Sequence, residues 1–253
     1  MRILMTTGVF PPEAGGPATY AEMLAKKLHE AGHTVSVVTL TDRAVTRYPF
    51  RVVAVRRRNK FLNRIKLLFA AAIHVWHADV VYTLDWFAVG LPISMLAKIS
   101  RTPYIVRIGG DYAWERYMES AGEPLTLHDF YAKGMHVDAR YRAYSGFIAA
   151  ILRQAAHIIF NSERERDLYV EHYELPLSNT TVIYNPVPRE DLPVRATPTK
   201  EFVYWGRLVG FKNLPSLIRG FAKARLPGYR LALIGDGPQK AALEAIAREE
   251  RLG

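Results

Sequence analysis

Two short stretches combine cations and glycines in a way that could grip phosphate. The first is Gly206-Arg207 with Lys212 five residues further on, and the second is Gly235-Asp236-Gly237-Pro238. A guanidinium offers a planar fork to phosphate oxygens and an ammonium a point charge, while glycine lets a ligand come close to the backbone. Read alone, Arg207 and Lys212 are equally well two solvated cations in an ordinary loop between a strand and a helix. A third feature is Gly15-Gly16 ahead of Pro17, where a helix N-terminus would leave backbone amides free for an anion. Its spacing is neither that of a dinucleotide-binding fingerprint nor that of a P-loop, since no Lys-Ser or Lys-Thr follows. The fourth is the run Arg107-Ile108-Gly109-Gly110-Asp111, with an acid and two glycines straight after an apolar segment. Asp111 there could accept from a ligand hydroxyl, orient a neighbour or cap the turn.

The elements needed to position these residues can be read from periodicity. Residues 202–205 read as a strand, and 214–224 carry Leu214, Leu217, Ile218 and Phe221 at helical spacing. Residues 231–234 form another apolar run that ends in the glycines. Strand, helix, strand in that order places both phosphate-type loops at the carboxyl edge of a parallel sheet, where open α/β sheets take ligands. Upstream, short β-branched runs at 3–5, 35–40, 52–55, 80–83, 104–108, 157–161 and 182–184 alternate with helical stretches at 18–30, 61–76, 87–99, 138–156 and 163–171. That alternation predicts an α/β fold with a doubly wound, Rossmann-like parallel sheet. The segment from 109 to 137, rich in Tyr, Phe and His, reads as a long loop. Ser162 suits a helix N-cap, with Glu165 at the capping-box distance. His128, His136 and Asp138 lack the tight spacing of a metal helix, so no metal site is expected.

The Gly-Arg-Leu…Lys and Gly-Asp-Gly-Pro segments, together with the Pro11-Pro12…Gly15-Gly16 loop and Asn185-Pro186-Val187, resemble family-four glycosyltransferases, retaining sugar-nucleotide enzymes of the two-domain GT-B fold. The resemblance implies an N-terminal acceptor-side Rossmann-like domain over 1–190, a linker at 191–199 and the beginning of a nucleotide-sugar domain over 200–253. It implies that Arg207 and Lys212 grip the donor diphosphate, that Gly235 and Gly237 belong to the same donor-binding domain, and that Gly15 and Gly16 face the sugar and phosphates. Asn161 and Ser162 fall near the donor by the same resemblance. Where family members often carry a His beside the sugar, this sequence has Arg107 and Asp111, and Asp111 is carried with Arg207 and Lys212 as a catalytic candidate. The sequence stops at Gly253, ahead of the segment in which family members carry two glutamates seven residues apart that contact ribose and donor sugar. The expectation is that these 253 residues alone bind donor weakly and turn over little.

Composition bounds the remaining classes. With 49% apolar residues the chain can bury a substantial core, and without cysteine it has neither disulfides nor thiolate metal sites. No apolar run approaches the roughly 20 residues needed to span a bilayer, and no signal peptide opens the sequence, so a cytoplasmic protein is expected. The net charge of +10 is concentrated between Asp42 and Asp79, where there is no acid and the cations run from Arg43 through Arg56, Arg57, Arg58, Lys60 and Arg64 to Lys66. Such a block suits anionic lipid, nucleic acid or plain solvation. The expected function is transfer of a hexose from a nucleotide diphosphate sugar to a hydroxyl of a glycan or lipid-linked acceptor, with retention and with no cofactor or metal. A peripheral contact of the basic block with anionic membrane would deliver a lipid-linked acceptor. The alternatives are a non-catalytic sugar- or nucleotide-binding remnant and a basic nucleic-acid binder, although no nucleic-acid recognition motif accompanies the charge.

Overall fold

A computed structural model of the chain describes residues 1–13, 15–45, 47–56, 60–120, 125–133, 139–186 and 199–252, with the side chains of 60–64, 87 and 88 left aside. Arg57, Arg58, His136, Asp138 and nearly all of the expected linker at 191–199 therefore lie outside the described residues, as do the side chains of Lys60 and Arg64. The chain divides into two compact units. One is made of Met1–Ala113 with His128–Pro186, and the other of Trp114–Leu127 with Val187–Gly253.

The first unit is built on seven parallel strands, β1 (Arg2–Thr7), β2 (Thr34–Leu40), β3 (Arg51–Val55), β4 (Val80–Thr83), β5 (Tyr104–Ile108), β6 (His157–Phe160) and β7 (Thr180–Val182), in the order β3-β2-β1-β4-β5-β6-β7. Helix α1 (Gly16–Glu30) packs Ala21 and Ala25 over Ile3, Met5, Val35 and Val37, which alternate along their strands to face it. On the other face lie α2 (Lys60–His77) and α3 (Leu91–Ser100), which also pack against each other. Their buried stripes are Leu67, Ala71 and Val75 on the first, and Ile93 and Ala97 on the second. The sheet is thus covered on both faces, as parallel sheets require. Strand order reverses between β1 and β4, where Thr6 and Thr83 share a buried hydroxyl hydrogen bond of 2.7 Å. The loops leaving these two strands flank the crevice that such a switch point opens.

Three sequence expectations need correction. The supposed helix over 87–99 begins as one π-helical turn at Trp86–Gly90 and becomes α-helical only from Leu91, with Pro92 in its first turn where no amide partner is lost. The segment after β5 is not a long loop. Only Gly109 to Asp111 separate β5 from α4 (Tyr112–Ser120), and α5 (Leu127–Ala132) follows before α6 (Ala139–Gln154). Finally, the strand expected at 182–184 lies at 180–182, paired to β6. Helix α7 (Glu163–Tyr173) starts as expected, with the Ser162 hydroxyl accepting from the Glu165 amide at 3.3 Å.

The second unit holds a parallel pair, β8 (Glu201–Trp205) and β9 (Arg230–Ile234), with α8 (Leu214–Ala224) and α9 (Lys240–Glu249). Leu214 and Ile218 of α8 and Leu243 of α9 form a small core with Leu208, against which Tyr204, Leu231 and Leu233 pack. One face of the pair is therefore partly covered, Leu231 and Leu233 included. On the other face Val203, Trp205 and Ile234 are exposed, Trp205 at 86%.

Buried phenols give the first unit a definite pH dependence. Burial raises the ionisation of Tyr82, Tyr104, Tyr131, Tyr169 and Tyr173 above the ordinary tyrosine value. Above about pH 10 the unfolded chain releases phenolic protons that the folded chain keeps, so this contribution is intact below that pH and is lost as pH rises. A thermal melt series from pH 8 to 11.5, run with absorbance at 295 nm, should show the melting temperature falling above about pH 10. These phenols should ionise only as the unit unfolds. Full phenolic titration ahead of unfolding would contradict the burial.

Candidate functional site

In the second unit the two phosphate-type loops are joined by backbone. The β8–β9 ladder continues past the strand ends: the Gly206 amide donates to Ile234 O at 3.0 Å, Leu208 to Asp236 O at 2.9 Å, and Gln239 to Leu208 O at 3.1 Å. The approach is so close that a Cβ on Gly235 would overlap the Gly206 carbonyl oxygen, and one on Gly237 the Leu208 carbonyl. Both glycines also have positive φ, 155° and 159°. The loops' packing alone therefore demands glycine at both positions.

This zipped edge carries the two cations. A single 3₁₀ turn, Gly210–Lys212, follows the β8 loop and brings the Phe211 ring near both, with Arg207 Cζ 5.8 Å and Lys212 Nζ 5.2 Å from the ring centroid. Both side chains are exposed, and among the described residues neither is held in an ion pair. Trp114 of α4 supports the turn, its ring 5.9 Å from that of Phe211, and the Met118 carbonyl comes close to Gly210. Gln239, just ahead of α9, has a buried Oε1 with no hydrogen-bond partner. Sequence reasoning missed Phe211 and Gln239, because a lone aromatic and a lone amide beside a glycine loop carry no spacing signal. The arrangement offers two unpaired cations and a close backbone edge, which suits a diphosphate.

In the first unit the remaining candidates all follow strand ends at the carboxyl edge. Gly15 and Gly16 come after β1, with α1 rising from them; both are exposed, and among the described residues a Cβ on Gly15 would meet the Pro17 ring while one on Gly16 would meet no atom within 4 Å. Among the described residues no side chain caps this helix; its Pro17 has no amide to offer, and the Thr19 amide donates to Gly15 O at 3.1 Å. Asn161 and Ser162 come after β6. The Asn161 side-chain nitrogen lies beside Gly109, while the Ser162 hydroxyl is engaged in capping α7.

Arg107 and Asp111 turn out to be buried. Arg107 is 4% exposed, stacks 4.3 Å over the Tyr20 ring, and donates through one nitrogen to Ile183 O and Asn185 Oδ1, each at 2.9 Å. It thereby fixes the Asn-Pro segment at the end of the unit to β5. Asp111 is 3% exposed and accepts through one oxygen from the hydroxyls of Tyr131 at 2.5 Å and Tyr169 at 2.7 Å. Among its three sequence-level roles, these contacts are those of a group that orients neighbours, here α5 and α7 on the β5 loop. Asp111→Asn and Tyr131→Phe should each lower stability by about 1–2 kcal/mol in thermal unfolding, since each weakens the same charge-assisted bond. A fall in turnover seen with Asp111→Asn but absent from Tyr131→Phe would instead assign Asp111 to the sugar.

The family described as Glycosyltransferase Family 4 matches residues 14–191, most of the chain. The chain belongs to glycosyltransferase family 4. The match covers the first unit's loops with Gly15, Gly16, Asp111, Asn161 and Ser162, and stops ahead of Arg207, Lys212 and the Gly235–Gly237 loop. Alpha-monoglucosyldiacylglycerol synthase of Streptococcus pneumoniae is 25% identical over 180 residues, which is 68% of this chain and 38% of that protein. Among solved structures, the apo form of the lipopolysaccharide outer core galactosyltransferase WaaB aligns with all of this chain and 66% of its own, at 17% identity and a TM-score of 0.61. HepE of Anabaena, in complex with UDP, aligns with all of this chain and 67% of its own, at 14% identity and a TM-score of 0.62. The shared architecture is that of GT-B glycosyltransferases. The chain spans well under half the length of its curated relative and about two thirds of these structures.

Proposed function

We propose that the protein transfers a hexose from a nucleotide diphosphate sugar to a hydroxyl of a lipid-linked or glycan acceptor, with retention at the anomeric carbon. The observation that carries this reading is the zipped loop edge of the second unit, where Arg207 and Lys212 both lie near Phe211 and, among the described residues, neither is held in an ion pair. During transfer the bond between the anomeric carbon and the diphosphate oxygen breaks, a bond to the acceptor oxygen forms, and the nucleoside diphosphate leaves with the negative charge. The two cations stabilise that developing charge, which is the dominant kind of term in such reactions. The glycines of the Gly235–Gly237 loop let the donor approach the backbone, family membership makes Gly15, Gly16, Asn161 and Ser162 further donor-side candidates, and Asp111 acts through the tyrosines it orients. No metal or other cofactor enters this scheme.

Membership of family four supports the reaction class, and the UDP bound in HepE supports a uridine diphosphate donor. The name of the pneumococcal synthase supports a lipid acceptor, reached by peripheral contact of the enzyme with the inner, anionic face of the membrane. Among the described residues no helix is long and apolar enough to cross it. The test is transfer by the complete polypeptide from UDP- and ADP-hexoses to diacylglycerol and to oligosaccharide acceptors, with the product anomer read by proton NMR. An α-linked product from an α-linked donor is expected. A β-linked product would overturn retention, and absence of transfer from every donor would overturn the reaction class.

A further inference from the structure

The outward faces of α2 and α3 do not match the amphipathic pattern of helices that face solvent. At 3.6 residues per turn, Phe69, Ile73 and Trp76 lie opposite the buried stripe of Leu67, Ala71 and Val75. Phe69 is 77% exposed, Ile73 71%, and Trp76 more than half. On α3, Met95 and Ile99 stand one turn apart on the outer face, Ile99 at 69% exposure. The two helices pack against each other on one face of the sheet, and the Thr102 hydroxyl after α3 donates to Val75 O of α2 at 3.2 Å, which fixes their ends together. Their outer stripes therefore lie side by side. Contiguous exposed apolar surface of this kind marks an interaction site.

The charge carried by the two helices is of one sign. No Asp or Glu occurs from residue 43 to 78, nor from 86 to 110, so neither helix carries an acid. Lys66 on α2, Lys98 on α3 beside Met95 and Ile99, and Arg101 at the end of α3 are all exposed. Exposed apolar side chains on two acid-free helices that carry exposed cations match the interface of an anionic bilayer, with aromatic and aliphatic groups in the acyl boundary and ammonium and guanidinium groups among the phosphates.

We infer that the paired outer faces of α2 and α3 dock on an anionic lipid bilayer, with Phe69, Ile73, Trp76, Met95 and Ile99 entering the interface and Lys66, Lys98 and Arg101 contacting headgroup phosphates. This rests on the reading that the enzyme works at a membrane, and it moves the contact from the basic entry of α2 to the apolar faces of two helices. The side chains involved are exposed, so replacing them leaves the core intact. Flotation of the purified chain with phosphatidylcholine vesicles, with and without phosphatidylglycerol, tests the inference. The chain should float with the anionic vesicles and less so as salt rises, and Ile73→Asp combined with Ile99→Asp should lower the bound fraction tenfold or more without changing the melting temperature. Brominated lipids should quench tryptophan emission in the native chain, and Trp76→Phe should abolish most of that quenching. Flotation that ignores phosphatidylglycerol or survives the double substitution would overturn the inference. So would light scattering that shows a dimer which the same substitution dissolves. UDP binding, followed separately, should be unaffected by the double substitution; its absence beside intact flotation would defeat the sugar-nucleotide reading and leave the lipid surface standing.

Discussion

Arg207→Ala and Lys212→Ala, each made in the complete polypeptide, are expected to weaken donor binding or turnover more than tenfold. Each removes one charge-assisted contact to the diphosphate, worth about 1.5–3 kcal/mol. Because both side chains are exposed and share only the Phe211 ring, neither substitution should alter the melting temperature appreciably. The double variant should lose more than either single one, since two cations on one leaving group act on the same charge. Steady-state kinetics beside thermal denaturation would separate the effects. Unchanged kinetics in both single variants would remove the diphosphate assignment, whereas a loss explained entirely by unfolding would reassign the pair to structure.

A second large effect is expected at Gly235. An alanine there would place its methyl on the Gly206 carbonyl oxygen, in a backbone conformation that side chains rarely adopt. The neighbour is backbone inside a hydrogen-bonded ladder, so it cannot rotate away as a side-chain tip would. Overpacking and strain together should cost roughly 2–4 kcal/mol within the second unit. Gly237→Ala, against the Leu208 carbonyl, should behave alike. Hydrogen exchange at the Gly206, Leu208 and Gln239 amides reads this directly: those amides should exchange much faster in either variant while the amides of β1 and β4 keep their protection. Wild-type exchange at Gly206 and Leu208 would show that the loops are not closed on each other in solution.

How far the sequence revealed these features depends on the range of the forces involved. Strands and helices with clean periodicity, such as 104–108 and 214–224, were legible because their pattern is local. The α4 helix was not, although Ala113 and Tyr117 stand at helical spacing, because its Tyr and Trp residues belong equally to loops and cores. Asp111 kept three roles open since its partners lie 20 and 58 residues downstream. The need for glycine at 235 arises from a carbonyl 29 residues upstream, which no single motif displays. The outer stripe of α2 was equally hidden: Phe69, Ile73 and Trp76 read as ordinary helical apolar positions until the structure showed Leu67, Ala71 and Val75 taking the buried side.

The central claim is that sugar-nucleotide phosphates are held by the second unit's two zipped loops. An NMR titration of the isotopically labelled chain with UDP tests it most directly, and it registers weak binding as well as tight. The account predicts shifts concentrated at the amides of Gly206, Arg207, Lys212 and Gly235 to Gly237, moving together along one isotherm and lost in Arg207→Ala. Shifts absent from those amides at saturating UDP, or confined to the first unit, would contradict it.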